Sequence, residues 1–113
     1  MTDEYSEDPM TFRQFQEQAN PVKPVDYEDL GSSGLTLYWS NAVGGESGEF
    51  QNIVKKIVRD GTDALLLEHM VEEAGDTLFY LKMTLERYGF ELEDAAAYCL
   101  VKLDNLRRQQ QNG

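Results

Sequence analysis

LTLYWSNAVGGESGEFQNIVKKIVRD, residues 35–60, runs directly into GTDALLLEHMVEEAGDTLFYLKMTLERYG, residues 61–89. Neither half alternates with the period of a strand, and Asp60-Gly61-Thr62 divides one long helical pattern into two. Steps of four and three trace the inward line of the first half through Leu35, Trp39, Ala42, Glu46, Glu49 and Ile53. The same walk in the second half meets Leu66, His69, Glu73, Asp76, Tyr80 and Met83. Each apolar stripe is thus interrupted by two carboxylates. With Gly61 as the pivot of an antiparallel hairpin, Glu49 and Glu73 each lie 12 residues from the turn, and Glu46 and Asp76 each lie 15. The pairs face each other. At about 1.5 Å rise per residue, all four acids converge within one turn, roughly 18–23 Å from the hairpin tip.

Four carboxylates on a half-buried patch are opposed both by desolvation and by mutual repulsion, so they call for a compensating cation. An oxygen-only ligand set of Glu46, Glu49, Glu73 and Asp76 selects a hard ion, Mg²⁺ or Mn²⁺, over Zn²⁺. A ferritin-like di-iron centre needs Glu-x-x-His steps, but the single histidine, His69, has Leu66 at −3. Gly44, Gly45 and Gly48 crowd around the first acid pair, each costing about 1 kcal/mol relative to alanine inside a helix. That cost argues either for a close neighbour at this backbone or for a break in the helix.

Outward from the hairpin, Phe12, Phe15 and Ala19 mark a short amphipathic helix over residues 11–19, with Thr11 as its N-cap and Pro21 beyond its end. Residues 20–34, with Pro21, Pro24, Gly31, Ser32, Ser33 and Gly34, read as a loop. Helices are expected over 35–59, 63–88 and 92–110, with Gly61 and Gly89 after helix ends and Thr62 or Asp63 capping the next start. Residues 1–9 are acidic and polar and read as a flexible tail, leaving 10–113 as one all-α domain.

In the 113-residue chain, 21 acidic residues against 10 basic ones give a net charge of −11, which would repel nucleic acid and an anionic membrane surface. The most apolar run, residues 63–70, contains Glu68 and His69 and is too short and too polar to span a bilayer. The N-terminus does not resemble a secretory signal. A lone Cys99 forms no intrachain disulfide and fits a reducing cytoplasm.

At its acidic residues the sequence resembles the MazG-like all-α nucleoside triphosphate pyrophosphohydrolases. Their Glu-x-x-Glu, spacer, Glu-x-x-Asp signature reads here as Glu46-Ser47-Gly48-Glu49, 23 intervening residues, and Glu73-Ala74-Gly75-Asp76. The surroundings match too: Val54-Lys55-Lys56, Leu78-Phe79-Tyr80-Leu81, Tyr88-Gly89-Phe90-Glu91-Leu92-Glu93, and the opening Met10-Thr11-Phe12. The likeness covers about residues 10–108. It implies Mg²⁺ on Glu46, Glu49, Glu73 and Asp76, and hydrolysis of a nucleoside triphosphate to the monophosphate and pyrophosphate. It also implies a phosphate contact from Lys102. Two positions depart from the pattern: Cys99 replaces the asparagine usual three residues before that lysine, and Leu106 stands where an arginine is expected, with Arg107 and Arg108 just beyond.

Lys55, Lys56, Arg59 and Arg107 are further candidates to hold outer phosphates, although cations are also favoured at a helix C-terminus in their own right. Trp39, Phe79 and Tyr80 have either a core role or a base-stacking role. Glu46 and Glu49 are the candidate catalytic carboxylates. Apolar faces on several sides of long helices, together with the resemblance, predict a homodimer or homotetramer. Two other readings accompany the enzyme: a non-catalytic helical oligomer that binds metal or nucleotide, and an interaction module addressing a basic partner.

Overall fold

The computed structural model describes residues 10–22 and 27–112, which places the acidic residues 1–9 outside the described residues. These residues form four α-helices in the order α1 (Phe12–Gln18), α2 (Tyr27–Asp60), α3 (Ala64–Glu86) and α4 (Leu92–Asn112), with no strand among them. The class is all-α, as the periodicity predicts. No helix among the described residues is long and apolar enough to cross a membrane.

Capping chemistry sets most of the boundaries. Thr11 opens α1 with a capping box: its hydroxyl accepts from the Gln14 amide at 3.1 Å, and the Gln14 side chain accepts from the Thr11 amide at 2.8 Å. Asp63, rather than Thr62, caps α3 by accepting from the amides of Leu65 and Leu66 at 2.8 and 3.2 Å. Between α2 and α3, Gly61 adopts φ +100° and donates to the Ile57 carbonyl at 2.9 Å, closing the helix with a backbone that side chains on Cβ disfavour.

Two expectations are corrected. Residues 27–34 are not a loop: α2 already begins at Tyr27, and the punctuation marks a kink at Gly31, where φ 67° and ψ 177° interrupt the helix before it resumes. A single left-handed residue is enough to bend the chain there without unwinding its neighbours. At Gly44, Gly45 and Gly48, α2 continues unbroken, and a Cβ built at any of them would meet nothing within 4 Å. This chain does not itself press against that backbone.

The α2/α3 hairpin carries the architecture. Its core lies at the end away from Gly61, where Leu35 and Trp39 of α2 meet Met83 of α3, with Phe79 and Tyr80 packed against them. The Trp39 ring stands edge-on to Phe79 at 6.2 Å and tilted over Tyr80 at 5.9 Å. Against this end sit α1 and the start of α4, joined by Arg13 to Glu91 and Glu93 at 3.5 and 3.0 Å. Gln16 spans three helices, donating to Glu86 at 2.8 Å and accepting from the Leu92 amide at 3.2 Å. Beyond Leu92, α4 runs on with little cover. The radius of gyration is 17.3 Å, against about 13 Å for a compact domain of this length.

Candidate metal centre

Glu46 and Glu49 lie one turn apart on α2, and Glu73 faces them from α3, because all three occupy the inward lines that the hairpin brings into register. One carboxylate oxygen from each falls within 4.8 Å of the others. Asp76 stands outside this triad, exposed, one turn further along α3. It remains electrostatically part of the group, since its charge raises the pKa of both Glu49 and Glu73. Asp76 and Glu46 also line a common cleft of about 320 Å³ with Asn20, Val22, Phe79 and Tyr80.

The electrostatics follow from three acids sharing one site. Glu73 holds the Glu49 carboxyl above its ordinary value, first through a shared hydrogen bond and then by charge repulsion, with burial and Asp76 adding to the shift. Glu73 is itself raised, chiefly through Glu46 and then by burial. Carboxylates share a hydrogen bond only while one of them keeps its proton. The buried Glu73 Oε2 has no hydrogen-bond partner among the described residues. Such an oxygen carries a desolvation cost that a cation would offset. Burial and the Glu46 charge likewise push the nearby Tyr80 phenol up.

The donor set therefore fits a hard divalent ion. It offers oxygen only, presents several negative charges, and holds one buried oxygen without a donor. Beside the triad, the Ser47 hydroxyl donates to the Val43 carbonyl at 2.9 Å and the Thr77 hydroxyl to the Glu73 carbonyl at 2.9 Å, each bond staying within its own helix.

The other predicted site residues are placed differently. Trp39 is 2% exposed and belongs to the core, so an open face for a nucleobase is not available on it. Tyr80 is half-buried and lines the acidic cleft, as does Phe79. Lys55 and Lys56 are exposed on α2 toward the hairpin tip. Arg59 is engaged by its neighbour Asp60 at 2.7 Å. Lys102 is exposed on α4, ten residues past the buried Leu92, which is about 15 Å further along a helix. Arg107 pairs with Asp104 at 3.0 Å. Among the described residues, none of these cations is ion-paired with the acidic triad. Cys99 is a free, exposed cysteine on α4.

Sequence reasoning passed over Lys82 and Asn20. Lys82 is the one charged side chain buried among the described residues, at 1% exposure. A signal for it existed: it is the only charge between Asp76 and Glu86 in an otherwise apolar stretch of α3. Asn20 reaches the cleft only because α1 docks beside it, and no local pattern announces that.

Comparison of the chain with protein-family models, with curated proteins and with solved structures finds no match.

Proposed function

We propose that the protein is a Mg²⁺-dependent nucleoside triphosphate pyrophosphohydrolase acting between the α- and β-phosphates. The observation that carries this reading is the convergence of Glu46, Glu49 and Glu73 around a buried carboxylate oxygen that lacks a donor. The resemblance of the two acid pairs and their flanking sequence to the MazG-like enzymes supplies the reaction class, and Mn²⁺ is an acceptable substitute ion on chemical grounds.

Glu46, Glu49 and Glu73, with Asp76 beside them, would hold the ion. Its contribution when bound is to neutralise triphosphate charge and to acidify water. Glu46 or Glu49 orients the attacking water and accepts its proton, Glu49 being the more exposed of the two. The cleft bounded by Asp76 and Tyr80 receives the substrate next to the acids. Lys102, Lys55, Lys56 and Arg107 remain the proposed phosphate contacts, and their exposure leaves them accessible to a bound nucleotide.

We place the working form as a homodimer or homotetramer in the cytoplasm. Support for self-association comes from α4, where Leu100, Leu103 and Leu106 are 59%, 40% and 45% exposed on an apolar stripe continuing from Leu92. A groove of about 350 Å³ along the hairpin, lined by Ser47, Phe50, Ala74, Thr77 and Leu78, offers further uncovered surface. A second reading, a metal- or nucleotide-binding helical oligomer without turnover, is favoured by one observation: among the described residues, none of the candidate phosphate cations Lys55, Lys56, Arg59, Lys102 and Arg107 is ion-paired with the triad.

The deciding experiment is a panel of ribo- and deoxynucleoside triphosphates with Mg²⁺, scored separately for pyrophosphate and orthophosphate. Pyrophosphate release that EDTA abolishes supports the enzyme. Binding without product supports the second reading, and neither result retires both.

A further inference from the structure

A lysine in the most enclosed position among the described residues needs a reason. Methionine would fill the Lys82 site without the several kcal/mol that burying an ammonium costs in general. What lysine adds is direction. Its Nζ donates to the main-chain carbonyl of Ala19 and lies 3.2 Å from Glu86 Oε1. Ala19 is the C-cap of α1, and its carbonyl has no place in the helix ladder.

Helix α1 is poorly equipped to hold its own position. It has seven residues and buries none of them, well short of the length at which a helix is stable alone. Of its other ties, Arg13 to Glu91 and Glu93 and Gln16 to Glu86 lie at the surface, where such contacts contribute little. Two bonds come from buried residues: the Lys82 ammonium to the Ala19 carbonyl at the end of α1, and the Leu92 amide to the Gln16 side chain at 3.2 Å in its middle. The residue after Ala19 is Asn20, which lines the acidic cleft with Glu46, Asp76 and Tyr80, with the exposed Val22 at its rim. Lys82 thus fixes the last residue of α1, and the next residue forms a wall of the cleft. Along α3, Lys82 is six residues from Asp76, or about 9 Å of rise, too far along the helix to join the acids as a group on the ion.

We propose that Lys82 is a positioning residue for this cleft. By holding the Ala19 carbonyl it keeps Asn20 in place as a wall, and that wall governs how tightly a nucleoside triphosphate is retained, without affecting metal binding. The ligand class rests on the function proposed above; the tie itself does not.

The test compares the full-length protein with Lys82→Met and Lys82→Arg, using three readouts. In Lys82→Met, exchange of the Phe15 and Ala19 amides, which donate to the Thr11 and Phe15 carbonyls, is expected to speed up about tenfold or more while hairpin amides keep their rates. Mg²⁺ affinity measured with the metal alone stays within about twofold, and KM for the preferred triphosphate rises about fivefold or more with kcat nearly unchanged. Lys82→Arg, which retains a donor, recovers part of both losses. Unchanged α1 exchange, a loss confined to kcat, or a parallel loss of Mg²⁺ affinity would overturn the proposal. Should Lys82→Met fail to fold, Asn20→Gly loosens the wall while keeping the tie. It is expected to raise KM with α1 exchange unchanged, and an unaltered KM there overturns the proposal equally. A wild-type protein that binds no nucleotide defeats the functional reading, whereas the exchange and Mg²⁺ measurements still decide whether Lys82 holds α1 independently of the metal site.

Discussion

Glu49 and Glu73 belong to helices joined only through the turn at Gly61, yet their carboxylate oxygens lie within 4.8 Å of each other. Each stands 12 residues from Gly61, so the antiparallel register alone brings them level. Each also sits on its helix's inward line, so the two approach each other while Glu49 stays open to solvent. The pKa of both groups is raised, that of Glu49 first by the hydrogen bond and then by the charge of Glu73, that of Glu73 first by the hydrogen bond to Glu46 and then by burial.

Those shifts give the metal-free protein a defined pH response. A carboxyl whose pKa is raised on folding binds its proton more tightly in the native state, so its stabilising effect is complete below the unfolded value and is lost as pH rises through the folded one. For Glu49 and Glu73 the loss begins above the ordinary carboxylate value of 4.5. In EDTA, the melting temperature of the wild-type protein relative to that of Glu49→Gln should therefore be lower at pH 7 than at pH 4. Mg²⁺ at pH 7 should stabilise the wild type and leave Glu49→Gln nearly unmoved, with hydrolysis abolished in the variant. A variant with the parent's Mg²⁺ response and activity would remove the metal centre from consideration.

Cleavage position follows from the proposed reaction. Hydrolysis of a triphosphate in ¹⁸O-water should place the label in the monophosphate or the pyrophosphate, with no orthophosphate as a primary product. Diphosphate and orthophosphate appearing together at the earliest times would exclude the pyrophosphohydrolase mechanism.

Trp39 is the single tryptophan and is 2% exposed, which makes its fluorescence a report on the core. Emission should be blue-shifted and protected from aqueous quenchers, and nucleotide addition should not quench it by stacking. Trp39→Ala should cost about 3–5 kcal/mol in denaturant unfolding, the range for removing a large buried aromatic. An exposed emission maximum with strong nucleotide quenching would restore the base-stacking role.

Self-association is tested at Leu103, 40% exposed in the middle of the α4 stripe. Sedimentation should show a dimer or tetramer for the wild type and a shift toward monomer for Leu103→Glu, because a carboxylate buried in an apolar interface is costly. A wild-type chain that sediments as a monomer at all concentrations would contradict the oligomer.

What the sequence by itself determined is everything that depends on period and punctuation. Apolar spacing yields four helices, Thr11, Asp63, Gly61 and Gly89 mark their ends, and equal distances from Gly61 bring the acids of α2 and α3 together. These are local or symmetric features, and a helix repeats its geometry reliably over 15 residues. Tertiary structure alone decided the rest. It turned the expected loop before Gly34 into a kinked helix, buried Trp39 within the core, and left Asp76 outside the triad and Cys99 exposed. It also drew Lys82 inward to the end of α1, and with it Asn20 to the cleft. None of these is written in a helical period, because each depends on where a short helix with no buried residue docks, or on which face of a long helix finds a neighbour.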